Sequence, residues 1–281
     1  MSVDSVSDSA RSWAHWVEPS RVLVDGVDTA YRRNGSGAPT VYLHGSGLTR
    51  MWLPFLERLS GSLDVVAPEL PGFGDTALPD WLEGFDDLVL YCDALLEALG
   101  LDAVHLVGQG LGGWVAAELA VVYPRRFASL SLITPTGLRL RDVPSIDTFR
   151  MTPEESLAAL FNGREDRHRE LFAQEGELED AVRAYQESTA RALLTWNPRY
   201  DRKLDRRLAR LAMPALVLGA EDDRVVPTPM AARYGELIPG ARVVTVAGAP
   251  GEPSGHLLHV EQPDEVARLV VEHVRASAAR R

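Results

Sequence analysis

Apolar positions along this chain fall into short β-branched runs separated by longer stretches in which they recur at helical spacing. The runs predict strands over 21–24, 40–43, 65–68, 103–107, 129–133, 215–218 and 242–246. The longer stretches predict helices, notably over 85–99, 111–123, 228–238 and 263–276. Strands alternating with helices need crossover connections, so the pattern predicts an α/β fold: a mostly parallel twisted sheet with helices on both faces. Residues 139–210 break the alternation, with charged helical segments and the aromatics Phe149, Phe161, Phe172, Tyr185 and Trp196 but no convincing strand. They predict an inserted helical cap, leaving 21–138 and 211–281 as the core domain. Residues 1–20, rich in Ser and Asp at their start, read as a flexible tail whose Trp13 and Trp16 pack onto the domain.

A chain of 281 residues, 46% hydrophobic, is long enough to bury the core of one large domain carrying such an insertion. Its net charge of −11 argues against nucleic acid or an anionic membrane as the main partner, and an acidic solvated surface accounts for it. Cys92 is the only cysteine, so no intrachain disulfide forms, and its apolar helical surroundings make it buried filler. No apolar run reaches the length of a membrane span, and the N-terminus lacks the basic and apolar regions of a signal peptide; the expectation is a cytoplasmic protein. No metal or organic cofactor is implied, because His256 and His259 have no third ligand at zinc spacing.

Chemistry concentrates where predicted strands end. The strand 103–107 runs into Gly108-Gln109-Gly110-Leu111-Gly112-Gly113 and then into a helix. Gly108, Gly110 and Gly113 satisfy the G-x-G-x-x-G dinucleotide pattern, but that reading needs an acid about twenty residues on, where Thr134 and Pro135 stand. The strand 40–43 is followed by His44-Gly45-Ser46-Gly47, and 65–68 by Glu69-Leu70-Pro71-Gly72-Phe73-Gly74. After 215–218 comes Gly219-Ala220-Glu221-Asp222-Asp223-Arg224-Val225-Val226-Pro227, and after 242–246 comes Gly255-His256-Leu257-Leu258-His259-Val260-Glu261-Gln262-Pro263.

Taken in this order, the motifs resemble those of capped α/β-hydrolases, of the esterase, epoxide hydrolase and carbon–carbon hydrolase kind. Trp196-Asn197-Pro198-Arg199-Tyr200 is also similar to bacterial members of that group. The resemblance covers most of residues 20–277 and implies the α/β-hydrolase fold. It makes 108–112 the nucleophile elbow, G-x-S-x-G, with Gly110 where the family has serine. It implies an oxyanion hole from the backbone N–H groups of Ser46 and Leu111, and a catalytic histidine at His256. The triad acid is Asp223 counting back from Pro227, or Asp222 counting on from Gly219; the loop carries one extra residue, and Asp223 is preferred. His44, Gly45 and Gln109, with Trp196, Phe149 and Phe161 of the cap, are the candidates for contact with substrate.

Glycine at 110 offers no Oγ, so no acyl-serine intermediate can form there. Cys92 lies in another helix, and Ser46 reads as a small residue fitting its loop. The expectation is a cofactor-independent enzyme in which a His256/Asp223 general-base dyad and an oxyanion hole act on a small apolar carbonyl compound. Water-mediated ester or lactone hydrolysis fits, as does a lyase, isomerase or cyclase-type step. The alternative is a non-catalytic pseudo-hydrolase that binds a ligand or partner, relieved of about 1–3 kcal/mol of elbow strain by the glycine.

Overall fold

Eight strands form one sheet in the order β1-β2-β4-β3-β5-β6-β7-β8, where β1 is Ser20–Val24, β2 Val27–Asn34, β3 Ala38–Leu43, β4 Leu63–Pro68, β5 Val104–Gln109, β6 Phe127–Ile133, β7 Ala215–Ala220 and β8 Arg242–Val246. The computed structural model describes residues 15–279 apart from 142, 144, 145 and 172–175; Trp13 and Phe172 lie outside the described residues. β1 and β2, and β2 and β4, pair antiparallel, and every later pairing is parallel. This is the mostly parallel α/β sheet expected from the alternation, in the α/β-hydrolase arrangement that the resemblance implies.

The helices are α1 (Pro54–Ser60), α2 (Phe85–Ala98), α3 (Leu111–Val122), α4 (Pro153–Leu160), α5 (Glu177–Thr195), α6 (Leu204–Leu208), α7 (Pro229–Leu237), α8 (Leu258–Glu261) and α9 (Pro263–Ala278). Side chains of α2, α3, α6 and α7 bury against one face of the sheet. Those of α1, α8 and α9 bury against the other. The central strands β5, β6 and β7 are buried along their whole length, and β7, ALVLGA, accordingly reads as a continuous apolar run.

β2 was not legible as a strand, because its sequence, VDTAYRRN, hides polar residues in the core. Arg32 is 3% exposed; its Nη1 donates to Glu69 Oε1 at 2.5 Å and its Nε to the Val17 carbonyl at 2.7 Å. Thr29 shares a short hydrogen bond with the Tyr91 hydroxyl. The end of the expected tail is also tied down: Trp16 bridges to Met51, and Trp52 N–H donates to the His15 carbonyl.

Between β6 and β7 the described residues form no strand. They comprise a 3₁₀ turn at Thr148–Arg150, α4, a second 3₁₀ segment at Glu165–Leu171, α5 and α6. α4 opens with a capping box in which Thr152 and Glu155 satisfy each other's backbone N–H. α6, inside the interval read as cap, buries Leu204 and Leu208 in the core cluster beneath the sheet's helices. Among the described residues no helix is long and apolar enough to cross a membrane.

Candidate active site

The elbow is built by close approach. A Cβ on Gly108 would lie 2.3 Å from the Gly112 carbonyl oxygen, and one on Gly112 would lie 2.2 Å from that of Leu43. Both glycines are therefore demanded by strand and helix packing, which accounts for the glycine frame without a dinucleotide. Gly110 sits at φ 55°, ψ −115°, between the last residue of β5 and the first of α3. An ideal Cβ there would stand 3.3 Å from His256 Nε2, with its other nearest neighbours, Gly45 Cα and His256 Cε1, at 3.8 Å.

The histidine arrives from the loop after β8. Glu261, five residues on, accepts the Gly255 N–H at 2.7 Å and pairs with Arg164 at 2.7 Å, so the glutamate of the G-H-x-x-x-x-E motif pins the loop that carries the ring. His256 Nδ1 lies 2.9 Å from Asp223 Oδ2. The other carboxylate oxygen of Asp223 accepts the N–H groups of Val225 and Val226 at 2.9 and 2.7 Å. Both side chains are buried. Asp222 turns outward, with its carboxylate 3.2 Å from Arg224, so the extra residue in the loop is absorbed by placing Asp223 at the histidine.

The remaining ring nitrogen is also engaged. Gln109 Nε2 lies 3.3 Å from His256 Nε2 and 3.3 Å from Thr134 Oγ1, while Thr134 Oγ1 donates to the His256 carbonyl at 2.9 Å. Because the threonine hydroxyl has spent its proton, Gln109 must be the donor to it, which fixes the amide orientation. Nδ1 of His256 then carries the proton toward Asp223, and Nε2 accepts.

His44 and Gly45 work beneath the cavity rather than in its wall. His44 Nε2 accepts the Leu70 N–H at 3.0 Å, so Nδ1 donates to the Gly45 carbonyl at 2.7 Å. Burial lowers the His44 pKa to about 4 and keeps the ring neutral. Neither residue is among those that line the cavity above the elbow. His44 fastens the loop to the Glu69–Gly74 turn, where Phe73 meets it edge-on. Gly45 makes room for Gln109, since a Cβ there would fall 2.1 Å from Gln109 Oε1.

A cavity of about 640 Å³ opens above the elbow. Ser46, Gln109, Leu111 and His256 form its floor. Leu111 is the first residue of α3 and its N–H has no acceptor within that helix, as an oxyanion donor requires. Phe149 lines the wall. Phe161 does not: it is fully buried, stacked on His168 with centroids 4.6 Å apart. Trp196 also lies outside the lining; it is 56% exposed and leans on Phe149 from behind. Aromatic character marked a residue that wants burial but not which surface it buries against.

Several wall residues escaped the sequence reading. Ala184, Glu187, Ser188, Arg191 and Thr195 of α5 all face the cavity, at the i, i+3, i+4, i+7, i+11 spacing of one helix face, a signal that was readable as a polar stripe. Glu187 Oε1 accepts the Thr49 hydroxyl at 2.8 Å and the Gly74 N–H at 2.9 Å, tying α5 to the loops beneath it, and burial pushes this carboxyl up. Arg191 stacks 4.5 Å above Phe149 and reaches Thr148 Oγ1 at 3.4 Å. Among the described residues it has no carboxylate partner, whereas Arg199 pairs with Asp147 at 2.7 Å. Cys92 is buried, its thiol pushed up to about 12, and offers no nucleophile. His259, in the same motif as His256, is packed between Tyr42 and Phe55, and burial lowers its pKa to about 3.

Comparison with known proteins agrees with this architecture. The alpha/beta hydrolase family model matches residues 40–269, and the chain belongs to that family. It is 27% identical over 268 residues to 2-hydroxy-6-oxo-2,4-heptadienoate hydrolase of Pseudomonas putida, covering 91% of this chain and 95% of that one. It is 29% identical over 267 residues to the dihydrolipoyllysine-residue acetyltransferase component of the acetoin cleaving system of Cupriavidus necator, covering 89% of this chain and 67% of that one. Among solved structures it is similar to a meta-cleavage product hydrolase from Pseudomonas fluorescens IP01 complexed with acetates, with a TM-score of 0.75, 26% identity, and coverage of 92% and 98%.

Proposed function

We propose that this protein is a hydrolase without an acyl-enzyme, in which His256, oriented by Asp223, activates water against the carbonyl of a small organic acid. The observation that carries the reading is the assembled dyad beside Gly110: Nε2 faces a position that lacks a side chain, 3.3 Å from where a Cβ would stand. Water there donates to Nε2. As His256 takes that proton, the water oxygen bonds to the carbonyl carbon, and the carbonyl oxygen, now negative, is held by the N–H groups of Leu111 and Ser46. Collapse of this intermediate breaks the bond to the leaving carbon or oxygen, which recovers the proton from His256. No metal or organic cofactor is required by these steps.

The acid is inferred from Arg191, a half-buried cation in the cavity wall whose burial lowers its own pKa and which has no carboxylate of its own among the described residues. A carboxylate on the ligand would complete it. The names of the relatives, hydrolases of 2-hydroxy-6-oxo-dienoic acids, support the same substrate class. We read 139–210 as the cap that closes over this substrate, with Phe149 against its apolar part.

The test is turnover of 2-hydroxy-6-oxo-2,4-heptadienoate and of p-nitrophenyl acetate by the native protein and His256→Ala. Slow turnover with no initial burst, reduced about 10²- to 10⁴-fold in the variant, is the expected result. Turnover that survives His256→Ala overturns the dyad. The loss of the nucleophile itself favours a second reading, a binding protein that holds the acid without converting it; tight binding of the dienoate with no turnover by either protein decides for it.

A further inference from the structure

The nucleophile's hydroxyl has two jobs in a triad: it attacks, and before attack it donates a hydrogen bond to the histidine. Gly110 can do neither, yet His256 Nε2 is not left open. We infer that Gln109 is a positioning residue that has taken over the second job, its carboxamide N–H standing in for the missing O–H and holding the ring at Nε2 while Asp223 holds it at Nδ1.

Three observations meet in this assignment. The Gln109 amide donates in two directions, to Thr134 Oγ1 and to His256 Nε2, both at 3.3 Å. Thr134 in turn donates to the backbone carbonyl of the same histidine at 2.9 Å, so side chain and main chain of His256 are referenced to one anchor. The carboxamide can lie across the elbow only because residue 45 has no Cβ, which would collide with Gln109 Oε1 at 2.1 Å. Gly45 and Gln109 thus form one device, and the glycine of the His44-Gly45-Ser46-Gly47 turn is explained by the amide it admits.

The bond is long for an N–H donor, so a better donor displaces it. At rest the lone pair of the base is covered. When a ligand or water presents an O–H beside Gly110, the amide yields Nε2 and keeps its bond to Thr134. The device keeps the imidazole from rotating out of line in a site where no serine holds it. This assignment rests on the reading of His256 as the base, but its test involves no turnover, so the two fail separately.

In uniformly ¹⁵N-labelled native protein, a trans-hydrogen-bond ¹⁵N–¹⁵N coupling connects Gln109 Nε2 with His256 Nε2, and it vanishes in Gln109→Ala. Absence of that coupling, with both resonances assigned, overturns the proposal even if no variant folds. The second readout is carbethoxylation of His256 by diethyl pyrocarbonate, mapped by peptide mass with exposed His15 as internal reference. Uncovering Nε2 in Gln109→Leu, which keeps the bulk but not the donor, accelerates modification about two- to tenfold, the worth of one net hydrogen bond. A rate equal to or below that of the native protein overturns it.

Discussion

Restoring a side chain at the elbow separates the two consequences of Gly110, conformational and chemical. Its φ of 55° and ψ of −115° are a conformation that L-residues adopt only under strain. Any side chain at 110 therefore costs about 1–3 kcal/mol. The 3.3 Å approach of a Cβ to His256 Nε2 adds a displacement of a few tenths of an ångström in the ring. At roughly 2–4 °C per kcal/mol for a domain of this class, Gly110→Ala and Gly110→Ser should both melt roughly 2–12 °C below the native protein by calorimetry. Only the serine variant gains an Oγ within hydrogen-bond range of Nε2. With p-nitrophenyl acetate in a stopped-flow instrument it should release a burst of up to one nitrophenolate per chain, and intact mass should show an acetyl adduct absent from Gly110→Ala. The double variant Gly110→Ser, His256→Ala should show neither. If Gly110→Ala melts with the native protein, the strain argument is wrong. If folded Gly110→Ser gives no burst, the dyad is not aimed at position 110, and the water site proposed there goes with it.

Three further outcomes follow from the geometry. Asp223→Asn should cut turnover by about 10² or more, because it removes the acceptor for His256 Nδ1; Asp222→Asn, on a carboxylate that meets Arg224 and Asn162, should stay within about twofold, and equal losses would reverse the assignment. Arg191→Met should raise KM for a dienoate carboxylate about 10- to 150-fold while leaving kcat little changed, and an unchanged KM would remove the carboxylate subsite. His44 and His259 have folded pKa values lowered to about 4 and about 3 from 6.5, so below pH 6.5 the unfolded chain binds more protons than the folded one. Their contribution is complete above pH 6.5 and is lost as pH falls toward 4 and 3, by of order 3 kcal/mol for His44. Urea midpoints measured between pH 7 and 4 should fall with acid, and His259→Leu should flatten the fall; a parallel curve would show that the folded pKa of His259 is not depressed below its unfolded value.

Much of the fold was legible because the physical demands on it are local. β5, the elbow and α3 were readable from an apolar run, glycines and an apolar helix, since close packing at the elbow leaves Gly108 and Gly112 no other residue. The His256 motif was readable for a similar reason: Glu261, six residues beyond Gly255, reaches back to its N–H. β2 was not, because its buried Arg32 and Thr29 owe their places to Glu69 and Tyr91, partners 37 and 62 positions distant. Counting along the acid loop left Asp222 and Asp223 open. The fold separates them through their partners: Asp222 bonds Ser254, Asn162 and Arg224, while the Asp223 carboxylate bonds Val225, Val226 and His256.

The role of Gln109 shows why a missing nucleophile is a poor guide to a lost function. In sequence, Gly110 reads as a deletion of chemistry, and a site released from selection for catalysis has no need to keep its base in line. In the fold, His256 is held at both ring nitrogens and at its carbonyl, by Asp223, Gln109 and Thr134, side chains drawn from three different strand ends. Each buried polar group in that chain has a partner of the right polarity, an arrangement costly to leave half made. Relief of elbow strain explains the glycine alone. It does not explain a buried imidazole beside the cleared position, Ser46 and Leu111 lining the cavity next to it, and a cation in the wall with no carboxylate partner among the described residues. Those features are accounted for together when the attacking oxygen comes from water rather than from the chain.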